Sequence, residues 1–146
     1  MNKYILVDST GSMSEEGKKS IVKYLIYSIK SFLLEEWKEE NVNVYLFGEE
    51  IKPYESKIVF QGKANSESLK RFLVDKKESQ ILLLSDGCYS EAVKKAFIDS
   101  GAEIWAIMIG SDCNKAVLQR IAGKERVFDA IDVVASLYQF MNFERE

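Results

Sequence analysis

The chain contains no histidine among its 146 residues. That absence excludes Ser-His-Asp and Cys-His catalysis, histidine-ligated zinc and any imidazole-based pH switch. Cysteine is scarce as well. Cys88 and Cys113 are too few for a disulfide scaffold and are read as reduced, passive packing residues rather than a redox pair. A single proline, with 47% apolar and 29% charged residues, argues against disorder. No stretch approaches the roughly 20 apolar residues that span a bilayer. The opening apolar run, Tyr4 to Val7, leads into Asp8 instead of a small-residue cleavage site, so no secretory signal is read and a cytoplasmic location is expected. Neither sign of charge dominates: 20 basic and 23 acidic residues leave a net charge of −3, spread along the chain. With no basic stripe to meet phosphates, neither nucleic acid nor a membrane is expected as a partner.

What is present is an alternation. At this length one domain, residues 1–146, is expected, large enough to bury about two-thirds of its unfolded surface. Short apolar runs at Tyr4 to Val7, Val42 to Phe47, Ile58 to Phe60, Ile81 to Leu84, Ile104 to Ile109 and Arg126 to Phe128 read as six strands. Between them lies helical spacing, clearest in Ile21, Tyr24, Leu25, Ser28, Ile29, Phe32, Leu33 and Trp37. Shorter helical patterns run through Leu69 and Leu73, Val93 and Phe97, Val117 and Ile121, and Val133 to Met141. Strand and helix in turn predict an α/β domain, a mostly parallel sheet with helices on both faces. Too few residues separate Phe47 from Ile58 for a crossover helix, so the third strand is predicted to be an antiparallel edge at Ile58 to Phe60. The aromatics Tyr24, Tyr27, Phe32 and Trp37 are assigned to the core or its margin.

Two aspartates stand where an open α/β sheet binds ligands, at the carboxyl ends of strands. Asp8 follows the first apolar run, and Asp86 follows Ile81 to Ser85. Should those strands be neighbours, both carboxylates face one crevice. The loop Asp8-Ser9-Thr10-Gly11-Ser12 carries oxygens at alternate positions, with Gly11 as the flexible link. Carboxylate and hydroxyl oxygens are hard ligands, and so few charges leave room for water, which favours Mg²⁺ (or Mn²⁺) over a calcium cage.

These residues resemble a known family. Asp8-x-Thr10-x-Ser12 is similar to the Asp-x-Ser/Thr-x-Ser signature of the metal-ion-dependent adhesion site (MIDAS) of von Willebrand factor A (vWA) domains, and Ser85-Asp86-Gly87 to that family's later aspartate turn. Phe47-Gly48, Ile109 to Asp112, and Leu118 to Gly123 with Val127-Phe128 extend the likeness over nearly the whole chain. The resemblance implies a Rossmann-like fold. It further implies Thr10 and Ser12 as direct metal ligands, Asp8 and Asp86 as carboxylates acting largely through water, and a partner protein's Asp or Glu at the metal's open position. The family's middle threonine falls at Ala64 in Gly62-Lys63-Ala64-Asn65-Ser66. Ala64 has no oxygen to offer, so Ser66, through a two-residue shift, or a water would have to supply it.

Plainer readings compete. Ser12 and Glu15 have capping-box spacing ahead of the long helix. Ser85-Asp86-Gly87 alone reads as a turn. A P-loop is excluded because the first lysine after the opening strand is Lys18. A phosphoryl-aspartate hydrolase would need a carboxylate at Thr10. The alternatives to metal-dependent protein binding are thus a metal-independent scaffold and, lacking a visible base, a metal-dependent hydrolase; no enzyme is expected.

Overall fold

In the computed structural model, residues 2–39, 43–111 and 114–143 are described. Val42, Asp112 and Cys113, which figure in the sequence reading, lie outside them. Six strands form one sheet: β1 (Lys3–Asp8), β2 (Asn43–Phe47), β3 (Ile51–Pro53), β4 (Gln80–Ser85), β5 (Glu103–Met108) and β6 (Val127–Asp129). Their order is β3-β2-β1-β4-β5-β6, with all neighbours parallel except β2 and β3. This is the mixed sheet of the Rossmann-like vWA architecture, with the one antiparallel strand at its edge as expected.

That edge strand is not where the apolar pattern put it. It spans Ile51–Pro53, not Ile58 to Phe60. The chain reverses at Gly48, whose N–H bonds the Glu50 carbonyl at 3.1 Å, so pairing resumes at once as a hairpin. Pro53 is tolerated because an edge strand does not need every N–H. Ile58 and Phe60 are apolar because they pack on the margin of the core.

Helices cover both faces. On one, α1 (Glu16–Trp37) and α5 (Val133–Asn142) pack Val22, Leu25, Ile29, Leu33, Leu137 and Phe140 against Ile5, Val7, Leu82, Leu84, Trp105 and Ile107. On the other, α2 (Ser66–Leu73), α3 (Glu91–Asp99) and α4 (Lys115–Ala122) bring Leu69, Phe97 and Leu118 onto Leu6, Leu83 and Ala106. Alternate residues of one strand thereby feed opposite cores. All six residues of β4 are buried, which is why that strand reads as a continuous apolar run.

The stripe of α1 that meets the sheet runs through 18, 22, 25, 29 and 33, one residue in three or four. Tyr24 and Tyr27 fall off it and are 67% and 73% exposed, which corrects their assignment to the core. Phe32 and Trp37 do pack at its margin. The stripe begins with a lysine.

Candidate functional site

The strand order reverses between β1 and β4: the chain leaves β1 toward β2 and β3, then returns on the other side of β1. Loops leaving the carboxyl ends of these two strands diverge and open a crevice there. Val7 pairs with Leu84, so Asp8 and Ser85 emerge level with each other. Both side chains are buried, and the Ser85 hydroxyl donates to Asp8 Oδ2 at 2.7 Å.

The other Asp8 oxygen organises the loop. Oδ1 accepts from the Thr10 N–H at 2.9 Å and from Thr10 Oγ1 at 2.6 Å, an Asx-type turn in which the carboxylate substitutes for a backbone acceptor. Thr10 Oγ1 in turn lies 3.1 Å from Ser12 Oγ. Burial raises the Asp8 carboxyl above the ordinary carboxylate range, the bonds from Thr10 and Ser85 pull it back, and the charge of Asp86 adds to the rise.

Gly11 does not adopt a left-handed conformation. Its N–H bonds the Gly62 carbonyl at 2.9 Å, tying the hydroxyl loop to the loop ahead of α2. Ser12 is not a helix cap. It sits in a single 3-10 turn, Gly11–Met13, and α1 begins after Glu15 with no side-chain cap, so the capping-box reading does not hold.

Asp86 follows β4 and is fully buried. Its Oδ1 accepts the Cys88 N–H at 3.0 Å, and its Oδ2 lies 3.2 Å from the Lys18 ammonium. Lys18 also donates to the Ser12 carbonyl at 3.0 Å and is only 4% exposed. The sequence reading gave Lys18 no role at the site. The signal was available: a lysine at the first position of the buried stripe of α1, where an apolar residue belongs, has to reach a carboxylate.

Gly87 completes the turn with φ +77°, and a Cβ there would come within 2.6 Å of the Asn114 carbonyl. Gly87→Ala is expected to cost about 1–3 kcal/mol through strain and crowding. Urea unfolding would measure it, and a stability within 0.5 kcal/mol of native would show that the turn relaxes freely.

Above these groups lies an open pocket of about 570 Å³, its lining including Thr10, Ser12, Lys63, Ala64, Tyr89 and Lys94. Ala64 faces the pocket; Ser66 is not among its lining residues and instead opens α2 behind the cap Asn65. Lys63 is exposed on the rim. Cys88 is exposed on the wall and is therefore not a packing residue. Ser90 and Asn114 also line the pocket and cap α3 and α4, so two helix N-termini border it.

Tyr89 was missed too. Its hydroxyl oxygen is buried close to Ser85 and Asp8, and burial followed by the charge of Asp8 pushes the phenol well above its usual range. It remains a neutral donor beside the carboxylates.

The oxygens fit a hard divalent ion in kind and spacing. Mg²⁺ holds oxygens octahedrally at about 2.0–2.1 Å, which sets neighbouring ligands roughly 3 Å apart, and the Thr10 and Ser12 hydroxyls stand at 3.1 Å. Among the described residues there is no group of three acidic, thiol or imidazole side chains to hold a metal. A metal site formed by the described residues would therefore be built on hydroxyls, with few charges.

No protein-family model and no curated protein matches the chain by sequence. Solved structures do match by fold. The manganese-loaded TRAP protein of Plasmodium vivax superposes with a TM-score of 0.76 at 15% identity, over 97% of this chain and 73% of that one. Proximal thread matrix protein 1 of the mussel byssus gives 0.66 at 14%, over 97% and 47%. The pilus adhesin SpaC of Lactobacillus rhamnosus GG gives 0.65 at 16%, over 94% and 29%. The chain thus spans about half the length of the mussel protein and less of the adhesin. Identities this low speak for fold alone, and with this strand order, this hydroxyl loop after β1 and this aspartate turn after β4, the chain has the von Willebrand factor A-type fold.

Proposed function

We propose that this chain is a protein-interaction domain whose carboxyl-edge pocket takes an Asp or Glu side chain of a partner through a bound Mg²⁺ or Mn²⁺. The observation that carries the reading is the paired hydroxyls of Thr10 and Ser12 standing on buried Asp8 at the floor of an open pocket. In this reading Thr10 and Ser12 are the direct ligands, while Asp8 and Asp86 support them. The ion would supply a concentrated positive charge with an open position for a carboxylate. The protein does the rest: Asp8 orients Thr10, Ser85 holds Asp8, and Gly62 anchors the loop through Gly11. Two helix N-termini and the rim residue Lys63 favour an anion in the pocket. The family likeness adds support, since a further structure of the mussel protein has a zinc-occupied MIDAS motif.

No catalytic role is proposed, because a general base is not evident in a chain without histidine. Among the described residues no helix is long and apolar enough to cross a membrane, and a cytoplasmic setting is part of the proposal.

The test uses the exposed ligand. Native protein and Ser12→Ala are titrated with Mn²⁺ by calorimetry, then with a short Glu-rich peptide in Mn²⁺ and in chelator. Ser12→Ala is expected to bind Mn²⁺ at least tenfold more weakly, and the peptide to require both the metal and Ser12. Absence of Mn²⁺ binding by the native chain, or equal binding by both, rejects the metal.

A second reading keeps the fold and drops the metal, and Ala64 is its support. Docking would then use a helix face, where Tyr24, Tyr27 and Leu34 stand exposed on α1, or the β3 edge. Metal-independent partner capture would select it.

A further inference from the structure

We propose that the Lys18 ammonium is the resident cation of this site, a tethered charge that must leave Asp86 before a divalent metal can be held there. The inference rests on the metal reading and adds a residue which that reading does not use.

Lys18 is a deliberate feature of the packing. It occupies the first place on the buried stripe of α1, one turn before Val22, and the stripe continues as Leu25, Ile29 and Leu33. A lysine is almost never fully buried unless paired. Here its ammonium meets Asp86 Oδ2 at 3.2 Å and the Ser12 carbonyl at 3.0 Å. It therefore bridges the two halves of the candidate metal site, the aspartate turn after β4 and the hydroxyl loop after β1.

Charge then decides what the site accepts. Asp8 and Asp86, both fully buried, carry two negative charges when ionised. With Lys18 in place, one is already compensated. A divalent ion added to that arrangement meets an ammonium already seated on Asp86, in surroundings that screen their repulsion poorly, whereas with Lys18 withdrawn the Asp86 carboxylate is open to the ion. Lysine suits such a device. Its charge sits on a flexible four-carbon stem and can swing as a point charge, with no fixed fork geometry to lose. The site consequently has two cation-holding arrangements, one with Lys18 on Asp86 and one with the metal supported by Asp86. A partner's carboxylate at the metal's open position would favour the second.

The experiment removes the tethered charge and reads metal binding directly. Native protein, Lys18→Gln and Lys18→Arg are titrated with Mn²⁺ alone by calorimetry, with near-UV circular dichroism confirming the folded state of each. Lys18→Gln can still donate toward Asp86 or the Ser12 carbonyl, which protects the fold, and Lys18→Met checks the result without any donor. Lys18→Gln is expected to bind Mn²⁺ at least tenfold more tightly than native, and Lys18→Arg no more tightly than native. Equal or weaker binding by Lys18→Gln overturns the inference and leaves the metal reading standing. Failure of the native chain and every variant to bind at millimolar Mn²⁺ overturns both. If Lys18→Gln does not fold by itself, refolding it with and without Mn²⁺ decides the matter: rescue by the metal supports the inference, and no rescue overturns it.

Discussion

Lys18→Met is expected to destabilise the metal-free protein by about 3–5 kcal/mol, because removing one member of a buried ion pair strands the other. Asp86 is fully buried, and besides Lys18 its carboxylate accepts the Cys88 N–H. A shift on the order of 10 °C in the unfolding midpoint is expected for a chain of this size. Two further measurements separate charge from shape. Lys18→Met combined with Asp86→Asn keeps an acceptor for Cys88 but removes the stranded charge, so it should recover at least half of the loss, giving a large coupling in the double-mutant cycle. Thermal unfolding of Lys18→Met in Mn²⁺ should recover stability with the logarithm of the metal concentration once that exceeds Kd, as binding to the native state alone requires. A single variant within 1 kcal/mol of native would mean that Asp86 does not depend on the lysine.

Phe97→Ala is the second large effect, about 3–5 kcal/mol for truncating a buried aromatic. Phe97 is buried in α3, edge-on to Phe47 at 5.8 Å and 5.9 Å from Tyr89. Those two neighbours reach the site: the Phe47 carbonyl accepts the Ser9 N–H at 2.9 Å, and Tyr89 lines the pocket. A cavity beneath them should therefore weaken Mn²⁺ and peptide binding as well as stability. Denaturant unfolding and calorimetry on the same variant would show both, whereas Phe97→Leu should lose considerably less of each. Unchanged binding in a clearly destabilised Phe97→Ala would uncouple the α3 core from the pocket wall.

The two effects have different physical origins. Phe97 acts through packing, and its position in a helix on one sheet face could be read from the spacing of Val93, Ala96 and Phe97. Lys18 acts through charge in a place where periodicity alone would have put an apolar side chain. Reading the same stripe more strictly would have flagged it, as would asking which cation answers a carboxylate buried at a strand end.

The order of strands and helices, the presence of an antiparallel edge and the delivery of Asp8 and Asp86 to one end of the sheet were all legible in the chain. Each follows from local rules: apolar runs of strand length, helical spacing between them, and the chain's exit at a strand terminus. Local rules fail where a choice depends on what lies across the fold. Ile58 and Phe60 look like strand residues because alternation cannot distinguish pairing from packing on a core margin, whereas the Gly48 turn brought Ile51–Pro53 to the β2 edge first. Tyr24 and Leu25 are adjacent and both apolar, yet only Leu25 lies on the side of α1 that meets the sheet, so the helix had to be docked before Tyr24 was seen to be exposed. The same holds at the site. The motif names Asp8, Thr10, Ser12 and Asp86, but the α1 docking that carries Lys18 to Asp86 and the course of the loop after β4 that places Tyr89 beside Asp8 belong to the tertiary structure, because charge compensation in a buried site depends on distances between residues far apart in the chain.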